Sequence, residues 1–169
     1  RDEGALPGAV LARVAASLPK ARLEIYGKGV ELSPLKRLVS DLGLTQRVKL
    51  MGFTPTPHLV YQRAALCLLT SRFEGLGLVV QEAMSHGCPV IAYDLRYGPA
   101  DMIDSGVDGL LVPYGDRRAL ADRVVSTLRD PELMRRMSDA ARARALEFSE
   151  EAFAARWGAL FNELDGKGW

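Results

Sequence analysis

The sequence predicts an α/β fold built around a doubly wound parallel sheet. Five short apolar runs recur along the first part of the chain, and segments with helical patterns lie between them. The runs lack the polar alternation of a half-exposed strand, so they fit strands that are buried on both faces. Intervening helices long enough for right-handed crossovers make the sheet parallel. After the fifth run, three helical patterns follow without another convincing strand.

The predicted strands and helices follow one another in a regular order. We predict strands over residues 22–26, 48–51, 66–69, 89–92 and 109–112. We predict helices between them over residues 8–18, 33–42, 56–64, 77–86 and 99–105, and after the last strand over residues 117–129, 131–147 and 151–164. Several of these helices begin with proline or a capping residue, and Ser33-Pro34 is the clearest helix start.

The last predicted helix has one strongly apolar face. Five large apolar side chains fall on it at helical spacing: Phe153, Trp157, Leu160, Phe161 and Leu164. A face of this kind must cover something apolar. We therefore predict that the helix packs on the rest of the domain.

The composition is that of an ordinary globular protein. The 169 residues are 48% hydrophobic and 25% charged, which disfavours disordered, low-complexity and collagen-like chains. A net charge of +1 gives no reason to expect a nucleic-acid partner. No apolar run approaches the roughly 20 residues that a membrane-spanning helix needs, so we expect no transmembrane segment.

Length and linkers indicate one domain over residues 1–169, because no Pro/Gly/Ser-rich stretch divides the chain. The two cysteines, Cys67 and Cys88, lie in apolar surroundings and form no disulfide framework, which fits a reducing cytoplasm. His58 and His86 have no neighbours at metal-ligand spacing, so we expect no metal.

The most informative segment leaves the third predicted strand through a glycine-containing loop and enters a helix. It places Glu74 in the loop and Glu82 one to two turns into the helix, seven residues further on. Both carboxylates can face the crevice at the carboxyl ends of the strands, where open α/β sheets bind ligands. Gly75 and Gly77 allow close backbone approach, and the amides of the helix N-terminus favour phosphate or hydroxyl groups. The combination suggests a nucleotide-sugar.

A structural interpretation of the same segment stays open. A carboxylate at a helix start is favoured by the helix dipole, which would account for Glu74. Glu82 would then be a solvated residue on a helix face. From spacing alone, the structural and functional interpretations have about even weight.

These residues also resemble the signature of a known family. Two glutamates separated by seven residues are typical of retaining glycosyltransferases with the GT-B fold, in the family-four set (glycosyl transferases group one). The resemblance covers almost the whole chain, with matching segments at residues 27–29, 48–53, 71–82, 83–90 and 106–112. It implies that the sheet is Rossmann-like and that the chain is the C-terminal, donor-binding half of such an enzyme, without the acceptor domain.

The resemblance implies roles for individual residues. Glu82 holds the ribose hydroxyls of the nucleotide, and Glu74 is the catalytic residue that contacts the transferred sugar. Whether Glu74 is a nucleophile or a positioning group stays open. The other implied substrate-binding residues are Gly27, Phe53, Gly75, Leu76, Gly77 and Leu78. For Phe53, a buried aromatic at a strand end is an equally good interpretation.

The resemblance further implies the substrates. The donor is a nucleotide-sugar that supplies a hexose or N-acetylhexosamine, with uridine diphosphate as the nucleotide, and no separate cofactor is needed. The acceptor is a hydroxyl on a glycan or a polyol-phosphate polymer, since Tyr97-Gly98-Pro99 is similar to the version in wall teichoic acid glycosyltransferases. Gly98-Pro99 is also an ordinary turn that opens a helix. The full-length protein would act in the cytoplasm, at the inner face of the membrane.

Some expected parts of the family pattern are not found. In that family, the first strand of this domain is followed by an Arg and a Lys that neutralise the diphosphate. Here they would fall at or before residue 1, and Arg1-Asp2-Glu3-Gly4 does not reproduce them. We therefore expect a chain truncated at its N-terminus, with an exposed sheet edge through which it could dimerise. Two alternatives stay open: a nucleotide-binding module that turns nothing over, and a nucleotide-sugar epimerase of the same fold. The paired-glutamate loop argues against the epimerase.

Overall fold

In the computed structural model, which describes residues 8–166, five strands and eight helices follow the predicted order. They are α1 (Gly8–Ser17), β1 (Leu23–Tyr26), α2 (Leu32–Asp41), β2 (Val48–Gly52), α3 (Pro57–Arg63), β3 (Cys67–Leu69), α4 (Leu78–Ser85), β4 (Val90–Asp94), α5 (Pro99–Met102), β5 (Gly109–Pro113), α6 (Arg117–Leu128), α7 (Pro131–Leu146) and α8 (Glu150–Gly166). Every boundary lies within two residues of its prediction except the end of α5. The α/β fold class is confirmed.

Helix α5 ends three residues earlier than predicted because the chain turns back at once towards β5. The Asp108 carboxylate accepts a hydrogen bond from the Asp104 backbone N–H at 2.9 Å. The Gly106 N–H donates to the Gly109 carbonyl at 2.8 Å. These bonds close a tight turn in place of the last predicted helical turn.

The five strands are all parallel, but the described residues arrange them in two groups rather than one continuous sheet. β1 pairs with β2, and β3, β4 and β5 pair in that order. Both groups consist of parallel strands joined through helices, as in a doubly wound fold.

The core consists of three layers around β4, whose first four residues are buried. On one face, Val80 and Met84 of α4 pack in a cluster with Ala141 of α7. On the other face, Ile91 and Tyr93 of β4 share a cluster with side chains of β5, α1 and α6, namely Val112, Val10, Leu120 and Val124. Each fully buried aliphatic side chain contributes about 1.5–3 kcal/mol. Helices on both faces fix the plane of the sheet and its carboxyl edge.

Helix α1 connects the two groups of strands. Val14 lies in the cluster that contains Leu68 of β3, and Ala15 lies in the cluster that contains Ile25 of β1. The Arg47 guanidinium, just before β2, donates to the carbonyls of Ala15, Leu18 and Ala21 at 2.9, 2.6 and 3.2 Å. One arginine therefore ties the end of α1 to the β1–β2 pair.

The prediction that α8 packs on the domain is wrong. Its five large apolar side chains are between 37% and 62% exposed. The three aromatic side chains contact one another instead, with ring centroids 5.9 Å apart for Phe153 and Trp157 and 5.7 Å apart for Trp157 and Phe161. Helical periodicity indicates which side of a helix is apolar, but it does not indicate what covers that side.

Among the described residues, none of the helices combines the length and hydropathy required to span a lipid bilayer. The first residues of the chain, where the expected Arg and Lys pair would fall, lie outside the described part.

Candidate functional site

The loop from β3 to α4 rests against the loop from β4 to α5. Gly98 has a φ of +90°. A Cβ atom there would lie 3.0 Å from the Glu74 Cβ and 3.1 Å from the Gly75 carbonyl oxygen. Since β3 and β4 are parallel neighbours, both loops lie at the same carboxyl edge. The absence of a side chain at Gly98 is what lets the Glu74 Cβ and the Gly75 carbonyl lie so close.

Helix α4 begins with its backbone amides uncapped by any side chain. Its N-cap is Gly77, with a φ of +76°, in the left-handed region that glycine adopts at little cost. The side chains of Leu76 and Leu78 on either side of it are exposed. The first turn of a helix has N–H groups without intrahelical partners and the positive end of the dipole. This end of α4 therefore suits an anion or a ring of hydroxyls.

Glu74 is half-buried and lines a cavity of about 220 Å³. The other lining residues come from its own loop and from the β4–α5 loop: Arg72, Phe73, Leu95, Arg96 and Tyr97. The Arg96 guanidinium lies 5.2 Å from the centroid of the Tyr97 ring, a cation–π contact. Glu74 thus lies between the uncapped end of α4 and a loop with an exposed cation.

Glu82 lies on the exposed side of α4 and faces α3. The Tyr61 hydroxyl of α3 donates to its Oε2 at 3.5 Å, which is a long hydrogen bond. Burial, followed by the neighbouring Cys67 and Glu82, raises the pKa of Tyr61. The phenol therefore stays protonated and available as a donor to the carboxylate.

Phe53 and Gly27 lie together at the carboxyl ends of β1 and β2. The Gly27 N–H donates to the Gly52 carbonyl at 2.8 Å, and Lys28 Nζ lies 5.3 Å from the centroid of the Phe53 ring. Phe53 is 67% exposed and lines a cavity of about 310 Å³. An aromatic exposed beside a cavity can stack with a ligand, which a buried core residue could not.

The predicted site residues therefore occupy three neighbouring places in the fold. Gly27 and Phe53 follow β1 and β2, the Glu74–Leu78 loop follows β3, and Glu82 lies on α4. Phe53 and Glu74 line two different cavities, and Glu82 lines neither of them. Neither of these two cavities joins all three places.

Sequence reasoning missed a network beside the Phe53 cavity. The Arg63 guanidinium of α3 donates to Glu24 of β1 at 2.9 Å and to the Tyr26 hydroxyl at 2.8 Å. Its hydrogen bond lowers the pKa of Glu24, while the bond to Glu24 raises the pKa of Tyr26. Tyr26 and Glu24 lie 37 and 39 residues before Arg63 in the sequence, so no local pattern could have indicated this network.

The cysteines do not have the surroundings of nucleophiles. Burial raises the pKa of both the Cys67 and the Cys88 thiols to about 12. In the part of the chain that the structure describes, no three His, Cys, Asp or Glu side chains are grouped so as to hold a metal ion.

Comparison with protein families gives one match that covers most of the chain. Residues 9–144 match the family described as glycosyl transferases group 1. The match begins in α1 and ends in α7, so it includes both groups of strands and the Glu74–Glu82 segment.

The chain is similar to two curated bacterial enzymes. It is 31% identical over 151 residues to a poly(glycerol-phosphate) alpha-glucosyltransferase of Bacillus subtilis, covering 89% of this chain and 22% of the relative. It is 32% identical over 142 residues to a poly(ribitol-phosphate) alpha-N-acetylglucosaminyltransferase of Staphylococcus aureus, covering 83% of this chain and 29% of the relative. The chain thus spans less than a third of the length of either relative.

Solved structures agree with the fold. The S. aureus protein TarM, solved with fondaparinux, alpha-GlcNAc-glycerol and UDP, superposes with a TM-score of 0.85 at 30% identity, covering 93% of this chain and 32% of TarM. The Anabaena protein HepE, solved with UDP, superposes with a TM-score of 0.81 at 25% identity, covering 94% of this chain and 44% of HepE.

Proposed function

Because the chain belongs to the glycosyl transferases group 1 family, we propose that it is the donor-binding domain of a retaining glycosyltransferase that uses UDP-sugars. The transferred sugar is a hexose or an N-acetylhexosamine, as in the names of the two polyol-phosphate relatives. The observation that supports this most directly is the loop with Glu74 and the uncapped α4 N-terminus, next to Glu82 on the same helix.

The proposed roles follow from what each group can bind. The Glu82 carboxylate accepts hydrogen bonds from the two ribose hydroxyls, and Tyr61 holds that carboxylate from α3. The backbone amides from Gly75 to Leu78 contact the phosphates and sugar hydroxyls. Glu74 contacts the transferred sugar beside them. Phe53 flanks the base, with Gly27 in the adjoining turn.

Catalysis in this arrangement depends on stabilising the departing diphosphate. Amides fixed at a helix N-terminus stabilise developing negative charge without having to reorganise during the reaction. Glu74, fixed against Gly98, orients the sugar so that an acceptor hydroxyl can approach its anomeric carbon. The chain's contribution is therefore positioning and electrostatics at the donor.

We place the acceptor mainly on a further domain, because the two relatives are more than three times as long as the region they share with this chain. The acceptor class that the relatives suggest is a polyol-phosphate polymer or another glycan. We place the parent enzyme in the cytoplasm, at the inner face of the membrane. On this proposal the isolated chain binds UDP but transfers no sugar.

The experiment is calorimetric titration of the 169-residue chain with UDP. We expect Glu82→Gln to weaken UDP binding about tenfold to a hundredfold, because a charge-assisted hydrogen bond to the ribose is lost. The matched control is Glu132→Gln on α7, an exposed carboxylate paired with Arg135, which should leave UDP affinity unchanged. Equal affinity of the wild-type and Glu82→Gln chains would rule out the ribose role.

A further inference from the structure

The pocket beside Glu74 is lined by Arg96, whereas Glu82 does not line it. Glu82 faces Tyr61 of α3, towards β1 and β2. The Glu74 cavity is lined instead by the β3–α4 loop and by the loop after β4. If Glu82 marks the nucleoside end of the donor and Glu74 the sugar end, this cavity lies beyond the sugar, where an acceptor approaches.

The β4–α5 loop is fixed at both ends, so its two exposed side chains are held in place. Leu95 packs against the cluster that contains Ile91 and Tyr93. At the other end, Gly98 is buried, and its N–H donates to the Asp101 carboxylate at 3.0 Å. Arg96 and Tyr97 lie between these anchors, and both line the Glu74 cavity.

Arg96 brings an exposed cation to the cavity. Its side chain lines the cavity beside the Glu74 carboxylate. The Tyr97 ring supports the Arg96 guanidinium from one side at 5.2 Å. A guanidinium over an aromatic ring still presents its N–H edge, which matches the paired oxygens of a phosphate.

We propose that Arg96, supported by Tyr97, binds a phosphodiester of the acceptor beside the hydroxyl that is glycosylated. This deepens the proposed function and depends on it, because the direction of the donor is set by the roles of Glu82 and Glu74. Arg96 acts here as a specificity-determining residue. It selects acceptors with phosphate between their polyols and takes no part in breaking the donor bond.

The test compares ligands that differ in one chemical feature. The 169-residue chain is titrated with a glycerol-phosphate trimer, with uncharged triglycerol, with a trigalacturonate that has carboxylates in place of phosphates, and with UDP. We expect the glycerol-phosphate trimer to bind and triglycerol not to bind at the same concentrations. Trigalacturonate should bind at least several-fold more weakly.

The variants identify the residue that binds the phosphate. Arg96→Gln should weaken binding of the glycerol-phosphate trimer about tenfold or more and leave UDP binding unchanged. Arg96→Lys should retain part of the affinity, and Tyr97→Leu should lose a smaller part. The matched control is Arg118→Gln on α6, whose side chain is 83% exposed and whose loss should change neither affinity.

Several results would overturn the proposal. Undiminished trimer binding by Arg96→Gln would do so, as would equal losses in Arg96→Gln and Arg118→Gln, which would indicate only diffuse charge attraction. A matching loss of UDP affinity would assign Arg96 to the donor phosphates instead, and equal binding of trigalacturonate would remove the preference for phosphate. Equal UDP affinity of the wild-type and Glu82→Gln chains is a separate result that bears on the proposed function. Trimer binding is measured without any nucleotide, so the two outcomes can be told apart.

Discussion

Gly98 shows how a single residue can position the carboxylate of another loop. Its φ of +90° is a conformation that side chains rarely adopt, and the space where a Cβ atom would lie is taken by Glu74 and Gly75. A substitution at Gly98 therefore has two separate energetic costs. One is backbone strain, and the other is displacement of the Glu74 loop.

Gly106 allows these two costs to be measured separately. It has a φ of +94°, and no atom lies within 4 Å of the place where its Cβ would be. We expect Gly106→Ala to lower the free energy of unfolding by the strain alone, about 1–3 kcal/mol. Gly98→Ala should lose at least as much and, in addition, weaken binding of a UDP-sugar relative to UDP. Denaturant unfolding measures the loss of stability, and calorimetry measures the affinities for UDP-sugar and UDP. An equal ratio of these two affinities in both variants would contradict the positioning role.

At this scale the sequence indicated candidate site residues but not the residues that lie beside them, for a physical reason. Glu74, Gly77 and Glu82 are indicated by their spacing, because a loop followed by a helix start is a local arrangement. Tyr61, which donates to Glu82, and Arg96, which lines the Glu74 cavity, lie on other elements. No spacing rule connects them to the glutamates, so their proximity becomes visible only when the strands are placed side by side.

Among the elements, α7 is joined to the α5–β5 turn by a nearly buried carboxylate. Asp108 is only 2% exposed, and it accepts a hydrogen bond from the Asp104 N–H. Arg144 of α7 lies with its Nε 4.0 Å from the second carboxylate oxygen. Burial raises the pKa of Asp108 despite the lowering effects of that hydrogen bond and of Arg144. The ionised form is thus less favourable in the folded chain than in the unfolded chain.

This raised pKa makes stability depend on pH. The contribution of Asp108 is fully present below its unfolded pKa, near 3.8, and is lost as pH rises through its higher folded pKa. Asp108→Asn keeps an oxygen acceptor but cannot titrate. We expect the unfolding free energy of the wild type, relative to this variant, to fall as pH is raised from about 3.5 to 6. A flat difference across this range would show that Asp108 titrates alike in both states.

The elements themselves were predictable because each has a local signal. Buried strands such as β4 are short continuous apolar runs, and helix starts such as Pro57 and Pro131 are marked by proline. The end of α5 was not predictable, since it depends on hydrogen bonds made by residues of the following turn. The exposed face of α8 was missed because periodicity gives no information on its surroundings.

At the scale of the whole molecule, the division between β1–β2 and β3–β4–β5 predicts two levels of stability. β4 lies at the centre of its sheet with helices on both faces, so we expect its amides to exchange only on global unfolding. All four residues of β1 are only partly buried. Its amides should exchange through a smaller, separate opening.

Arg47 provides the test of this separation, because it ties α1 to the β1–β2 pair. We expect Arg47→Ala to speed hydrogen exchange in β1 and β2 much more than in β4. Arg118→Ala, on the exposed side of α6, serves as the control. Parallel loss of protection in all the strands would show that the chain opens as one unit. Pairing of a second copy along the β1 or β3 edge stays a prediction, and it would slow exchange in the strand concerned.

The aromatic row on α8 also makes the chain its own optical reporter. Trp157 is 43% exposed and lies between Phe153 and Phe161. The emission wavelength of its indole therefore depends on how far water reaches that face of the helix. The chain has two tryptophans, and replacing Trp169 with phenylalanine leaves Trp157 as the single emitter. Its fluorescence then moves to shorter wavelength whenever another surface covers the row. Assembly of this chain with a surface that covers α8 can therefore be followed by intrinsic fluorescence, without a label.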